Sequence, residues 1–362
     1  MAAADRLQSI AQARQTLLHE RNAQTAPWLA PWLARSWQRC QAWGLEPGRR
    51  VGFDAVSAAR ARQVQEESQP LVQAARPVIA ELVRAMGNIG YFAILTNAEG
   101  IVIDVQGPVD RGDRRAQAIA RVGVDLSERA VGTSAIGAAL AELQPVWLHR
   151  GEHFFDDTSV YSCAGAPVFG PDGRCAGMLD LTGVEVAERP ALKHLVRRSA
   201  RSIENSWLLA SPHALTLRLS WPGNQPGDDS DGLLTLGADG EITGANPTAR
   251  QMLSLEAGQA AAHASDVFAM PWENLFDAAQ RGDGFDEVPL WSGLRLQTQA
   301  HRATEVPNPT AAMRGSGQAL RDVETALIRQ AVARARGNVA EAARSLGISR
   351  ATVYRKLGQP KG

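Results

Sequence analysis

The apolar positions change their period along the chain, and each change marks a different kind of element. Leu7, Ile10, Leu17 and Leu18 recur at helical spacing and predict an amphipathic N-terminal helix. Trp28, Trp32, Trp37 and Trp43 follow, around Leu33-Ala34-Arg35-Ser36-Trp37-Gln38-Arg39, and read as core or helix-packing anchors. Helical spacing continues from Val56 to Met86, with interruptions expected at Pro70 and Pro77. From Tyr91 the pattern becomes strand-like. Tyr91-Phe92-Ala93-Ile94-Leu95 and Ile101-Val102-Ile103-Asp104-Val105 flank a turn ending in Glu99-Gly100. A second hairpin is predicted from Ala166-Pro167-Val168-Phe169 to Cys175 through Leu181 around Pro171-Asp172-Gly173. A third runs from Leu233 through Leu236 to Glu241-Ile242-Thr243 around Asp239-Gly240. Leu192 to Leu209 reads as a helix, and Trp221 to Asp231 as a polar linker. Hairpins mixed with helices, without regular strand–helix alternation, predict antiparallel α+β domains rather than a nucleotide-binding α/β fold.

The last stretch carries the most specific pattern. Asn338 and Glu341 form a capping box, Ala343 is small where two helices cross, and Gly347-Ile348 supply a tight turn and its apolar plug. Ser349 caps a second helix whose Val353 and Leu357 face inward, leaving Arg350, Thr352, Arg355 and Lys356 outside. This is the layout of a DNA-binding helix-turn-helix. Arg350, Thr352 and Arg355 are the expected base or near-base contacts, and Asn338, Ser349 and Lys356 the expected phosphate contacts, with Tyr354 in the same set. The preceding stripe Leu320, Val323, Leu327, Ala331, Val332 and Ala335 suits packing within this domain and pairing with a second subunit.

Charge supports that division. The 362 residues have no net charge, yet Arg334 to Gly362 hold seven Lys or Arg against Glu341 alone, a net of +6 balanced by −6 elsewhere. A basic end on an acidic body suits a nucleic-acid-binding tail joined to a sensor. Three cysteines, Cys40, Cys163 and Cys175, imply no disulfide framework. No signal core or membrane-length apolar run is visible, so a cytoplasmic protein with no membrane partner is expected.

Gly337-Asn338, Ala342-Ala343, Leu346 through Arg350 and Tyr354-Arg355-Lys356-Leu357 resemble the Fis-family domain that ends sigma-54-dependent activators. Upstream, Ser36-Trp37, Val131-Gly132-Thr133-Ser134-Ala135-Ile136-Gly137, Glu152-His153-Phe154, Cys163 to Pro167 and Gly177 to Gly183 resemble the GAF domain of acetoin-catabolism regulators. Leu234-Thr235-Leu236, Asp239-Gly240-Glu241-Ile242 and Ala245-Asn246 resemble the small PAS-like module of such regulators. The resemblance implies a helical lead-in at 1–75, a GAF-like sensor at 76–209, a PAS-like module at 210–300, a linker at 301–318 and an all-α Fis-type helix-turn-helix at 319–362. Full-length relatives place an AAA+ ATPase before the last of these. Its phosphate loop needs Gly-x-x-x-x-Gly-Lys-Ser/Thr, whereas the lysines here, Lys193, Lys356 and Lys361, never follow a glycine.

The expected protein is therefore a sequence-specific DNA-binding transcription regulator without ATPase activity, controlled by a small-molecule effector. Expected partners are double-stranded DNA, the effector, a second copy in a homodimer, and RNA polymerase or a full-length activator. Phe92, His149, His153, Phe154, Tyr161 and Cys163 are the candidate ligand-binding residues. No catalytic set, metal site or cofactor is expected. His149 and His153 have a metal-like spacing only if their segment is helical, which Gly151 opposes. The alternatives are a thiol enzyme or redox sensor, in which Cys163 and Cys175 approach each other across a hairpin, and a non-specific DNA-bending protein.

Overall fold

The computed structural model describes residues 3–19, 29–224, 226–227, 230–258, 262–281, 286–303 and 339. One compact unit comprises Met1–Arg302, and a second comprises Ala303–Gly362. The helix-turn-helix residues Asn338, Ser349, Arg350, Thr352, Tyr354, Arg355 and Lys356 lie outside the described residues, as does the apolar stripe before them.

The first unit is α+β. It opens with α1 (Ala3–Arg14), a short π-helical turn, α2 (Pro31–Ala42), α3 (Ala58–Glu67) and α4 (Gln69–Met86). Helix α4 runs unbroken across the boundary expected at residue 75, with Pro77 inside it. That proline removes one helical hydrogen bond, but the buried stripe Leu71, Ala74, Ala75, Ile79 and Leu82 holds the helix on a sheet. The sheet comprises β1 (Tyr91–Asn97), β2 (Val102–Gln106), β3 (Val146–His149), β4 (Tyr161–Phe169) and β5 (Cys175–Val184). Its order is β2-β1-β5-β4-β3, with every neighbouring pair antiparallel.

Both faces of this sheet are covered. Tyr91, Ala93, Leu95, Ala164, Ala166, Leu179 and Leu181 pack with α4 and with α8 (Leu192–Ala210). The alternate residues Phe92, Ile94, Cys163 and Met178 join a second core with Trp37, Cys40, Val131 and Ile136. Burial on both sides explains why Tyr91 to Leu95 read as an unbroken apolar run rather than an alternation. The second core is roofed by α5 (Arg114–Ile119), α6 (Glu128–Val131) and α7 (Ala135–Glu142).

A smaller sheet follows, built from β6 (Leu215–Ser220), β7 (Gly232–Leu236), β8 (Ile242–Ala245), β9 (Asp286–Pro289) and β10 (Arg295–Arg302). Its order is β8-β7-β6-β10-β9, also antiparallel. Helices α9 (Pro247–Leu253), α10 (Ala264–Val267) and α11 (Glu273–Arg281) connect β8 to β9. Their Ala249, Met252, Leu253, Ala264 and Leu275 share a core with Leu217, Leu234 and Leu296. The polar stretch Trp221 to Asp231, read as a linker, joins adjacent strands β6 and β7 of one sheet. Strand β6 sits at the centre because Leu215, Leu217 and Leu219 are all buried in that core.

The β4–β5 hairpin tip docks on the second sheet's module. The Arg250 guanidinium donates to the Pro171 carbonyl at 2.9 Å, Ala245 N donates to the same oxygen at 3.0 Å, and Gly258 N donates to Asp172 O at 3.0 Å. One hairpin thus touches the second module at its turn and contributes its strands to the first core.

Candidate ligand-binding site

The roof over the first sheet is shaped by the glycine-containing motif. Gly132 ends α6 with φ +66°, a conformation that suits glycine. Thr133 meets the Ser36 hydroxyl at 2.7 Å, and Ser134 caps α7 by accepting from Gly137 N at 3.1 Å. At Gly137 a side chain would run into the Glu128 backbone, so glycine lets α6 and α7 touch. Ala135 and Ile136 are left facing the sheet, where they border a cavity.

That cavity is small, about 30 Å³ and partly open to solvent, well below the usual range for drug-sized small-molecule sites. Ile94 of β1, Tyr161 and Cys163 of β4, and Asp180 and Thr182 of β5 form its floor. Phe53, Ile119, Leu126, Val131, Ser134, Ala135, Ile136, His153 and Thr158 complete it. The polar floor follows from strand alternation, since Asp180 and Thr182 share the face opposite Leu179 and Leu181.

Asp180 is 1% exposed, and burial pushes its carboxyl up to about 7. The Thr182 hydroxyl donates to Asp180 Oδ2 and lies 3.3 Å from Cys163 Sγ. Asp180 Oδ1 has no hydrogen-bond partner among the described residues. His153, 2% exposed, is pushed down to about 4 by burial and is therefore neutral near pH 7. Its Nδ1 lies 2.9 Å from the Arg150 carbonyl, while its Nε2 has no partner among the described residues.

The segment carrying His153 is clamped by the N-terminal helices. Arg14 donates to the carbonyls of Gly151, His153 and Phe154 and pairs with Asp156. Trp37, 1% exposed, donates its indole N–H to Glu152 O at 3.0 Å. Arg39 bridges the buried carboxylates of Glu128 and Glu142 at 2.7 Å each. The first two helices expected as a lead-in therefore brace the segment that carries His153 to the cavity.

Three of the six residues selected from sequence line the cavity: His153, Tyr161 and Cys163. The other three are buried elsewhere in the same region. Phe92 belongs to the core beside it, and Phe154 stacks edge-on against Phe155. His149 lies parallel to Trp147 and meets Ser162 Oγ at 2.8 Å. Asp180 and Thr182 were not selected, although a carboxylate inside the apolar run Met178 to Leu181 is an available signal.

The expectation that Cys163 and Cys175 approach each other is corrected by register. Cys163 faces Thr182, whereas Cys175 faces Phe169, six positions further along β4. At about 3.4 Å per residue they stand roughly 20 Å apart, far beyond disulfide reach. Burial also raises both thiols above their ordinary range, which opposes thiolate chemistry.

The first unit is thus an α+β fold with a cavity between its five-stranded sheet and the helices that roof it. Residues 9–205 match the family described as MimR, N-terminal domain, and residues 319–359 match Bacterial regulatory protein, Fis family. The first match spans more than half of the chain, which belongs to that MimR N-terminal-domain family. The acetoin catabolism regulatory protein of Cupriavidus necator is 31% identical over 252 residues, covering 68% of this chain and 37% of that protein. The propane 2-monooxygenase operon transcriptional activator MimR of Mycolicibacterium goodii is 27% identical, covering 58% of this chain and 35% of its own length. The chain thus spans well under half the length of these curated relatives. Among solved structures, the E. coli DhaR(N)–DhaL complex aligns with a TM-score of 0.47 and 14% identity, covering 76% of this chain and 100% of that chain. No helix among the described residues is long and apolar enough to cross a membrane.

Proposed function

We propose that this chain is a cytoplasmic, homodimeric regulator whose affinity for specific DNA sites is set by a small molecule in the GAF-like cavity. The observation that carries this reading is one chain with an internal cavity bearing unpartnered polar atoms in its family-matched sensor and a Fis-family match at residues 319–359. The β4–β5 hairpin offers a route for the signal. Its strands supply Cys163, Asp180 and Thr182 to the cavity, and its turn is held by Arg250 of the second module. A dimer suits the output, since paired recognition helices read half-sites about one DNA turn apart.

The reading assigns no ATP hydrolysis to the chain. No phosphate-loop sequence occurs in these residues, and 303–318 are too few to hold an ATPase domain. Regulation then works through occupancy, by blocking, recruiting or neighbouring RNA polymerase or a full-length activator. The contacts at Arg350, Thr352 and Arg355 read bases, and those at Asn338, Ser349 and Lys356 hold phosphates. Arg350→Ala is expected to lose about 1–3 kcal/mol of discrimination at one base position. Lys356→Ala is expected to weaken all sites alike and flatten the salt dependence by about one unit of slope. Gel-shift titrations over a range of salt measure both; an unchanged profile for the two variants contradicts the assignment.

A further inference from the structure

A second, larger cavity lies between the loop that follows α2 and the segment that carries α6. Its volume of about 310 Å³ is near the low end for small-molecule sites. The loop is held along its length by the rest of the first unit. Asp156 N donates to Pro47 O at 3.0 Å, the Arg121 guanidinium donates to Phe53 O at 2.8 Å, and Asp125 N donates to Asp54 O at 3.1 Å. The wall is therefore set in advance by contacts that no ligand has to supply.

Arg49, Arg50 and Arg129 line this cavity together with Asp54 and Asp125. Groups of opposite charge facing one space ordinarily pair, yet none of the three arginines forms an ion pair among the described residues. Arg129 lies instead over the Trp43 ring, 5.4 Å from its centroid. The Asp54 carboxylate accepts no hydrogen bond among the described residues and lies against Gly52, where an added side-chain carbon would come within 3.0 Å of it. Asp125 uses only Oδ1, accepting from Ser127 N at 2.9 Å. The rest of the lining, Leu45, Val51, Gly52, Ala130 and Phe155, is apolar in its side chains. A simple anion would be drawn to the arginines but set against two carboxylates, and a simple cation would meet the reverse. A molecule that carries both charges satisfies both sets at once.

We propose that this cavity binds a free α-amino acid with an aliphatic side chain. Its carboxylate is held by Arg49, Arg50 and Arg129, whose planar guanidinium forks match the two oxygens of a carboxylate. Its ammonium donates to Asp54 and Asp125, and its hydrocarbon packs on Leu45, Val51 and Phe155. This is a second ligand site, separate from the one beside His153. The same loop serves both, giving Phe53 to the first cavity and Gly52 and Asp54 to the second.

The test is calorimetric titration of the full chain with four probes. They are L-leucine, 4-methylpentanoate, which lacks its amino group, 3-methylbutylamine, which lacks its carboxylate, and inorganic phosphate. Leucine is expected to bind, and each probe of a single charge to bind roughly tenfold more weakly or less. Asp54→Asn is expected to shrink the preference for leucine over 4-methylpentanoate, and Arg50→Gln to shrink the preference for leucine over 3-methylbutylamine. Both residues are exposed, so both variants are expected to keep the parent's thermal transition, which separates a lost contact from a misfolded chain. His153→Phe, at the first cavity, is expected to leave leucine binding unchanged. Phosphate or 4-methylpentanoate binding as tightly as leucine identifies a plain anion site and overturns the assignment. So does the amine binding as tightly as leucine, an absence of leucine binding, or leucine preferences that neither Asp54→Asn nor Arg50→Gln alters.

Discussion

Removal of residues 319–362 is expected to abolish site-specific DNA binding, with a fall in affinity of at least a hundredfold. These residues hold the Fis-family match and all of the basic excess, so the remaining chain carries a net charge of −6. Such a body has neither a recognition element nor the electrostatic attraction that supports even non-specific binding. The first unit, Met1–Arg302, has its own cores and is expected to keep its thermal transition. Gel shifts beside a melting curve check both halves of this result. A thiol enzyme on the same scaffold predicts the opposite, activity that survives the deletion.

A large effect is also expected from two buried carboxylates. Burial pushes Asp180 up to about 7 and Glu204 of α8 up to about 8, while both ionise near 4 in an unfolded chain. Between those limits the folded state binds more protons than the unfolded state, so stability falls as pH rises. The loss begins near pH 4 and is complete above about pH 8, and each group contributes on the order of 4–5 kcal/mol. His153, pushed down to about 4, acts in the other direction, because the unfolded imidazole takes up a proton below about 6.5. Its penalty is absent above that pH and grows as pH falls, so the net decline is steepest from about 6.5 to 7, where both carboxylates contribute, and is carried by Glu204 alone from about 7 to 8. Asp180→Asn and Glu204→Gln remove the ionisation. The second keeps an oxygen to accept from Phe169 N, now bonded at 3.0 Å to Glu204. Each variant is expected to be more stable than the parent at pH 8.5 and close to it near pH 5, by denaturant unfolding at the two pH values. A flat parent profile from pH 6 to 8.5 contradicts the expectation.

Much of this organisation is legible in the chain because local chemistry and tertiary role coincide. Gly132, Ser134 and Gly137 are readable as a motif, and the structure gives each a geometric reason: a positive φ, a helix cap and a close helix contact. The three predicted turns, at Gly100, Gly173 and Gly240, all carry glycines with positive φ. Of the tryptophans read as core anchors, Trp37 is buried and Trp32 half-buried, whereas Trp43 is 40% exposed and Trp28 lies outside the described residues. The parts that escaped depend on long-range pairing. Leu215-Thr216-Leu217-Arg218-Leu219-Ser220 alternates like a strand, but nothing local places it between β7 and β10. The polar stretch after it looks like a boundary for the same reason. Sequence separation also hides that Arg14 reaches Gly151 and that Asp180 and His153 line one cavity. His149 and His153 are close in sequence, yet only His153 lines the cavity, because one ends a strand and the other follows a turn of 3-10 helix.

The most direct test of the central claim maps the DNA sites occupied by the full chain with and without a cavity ligand, beside the His153→Phe variant. Discrete palindromic sites are expected, with occupancy that changes with the ligand in the parent and not in the variant. Diffuse AT-rich coverage, or site occupancy that no cavity ligand alters, would contradict it.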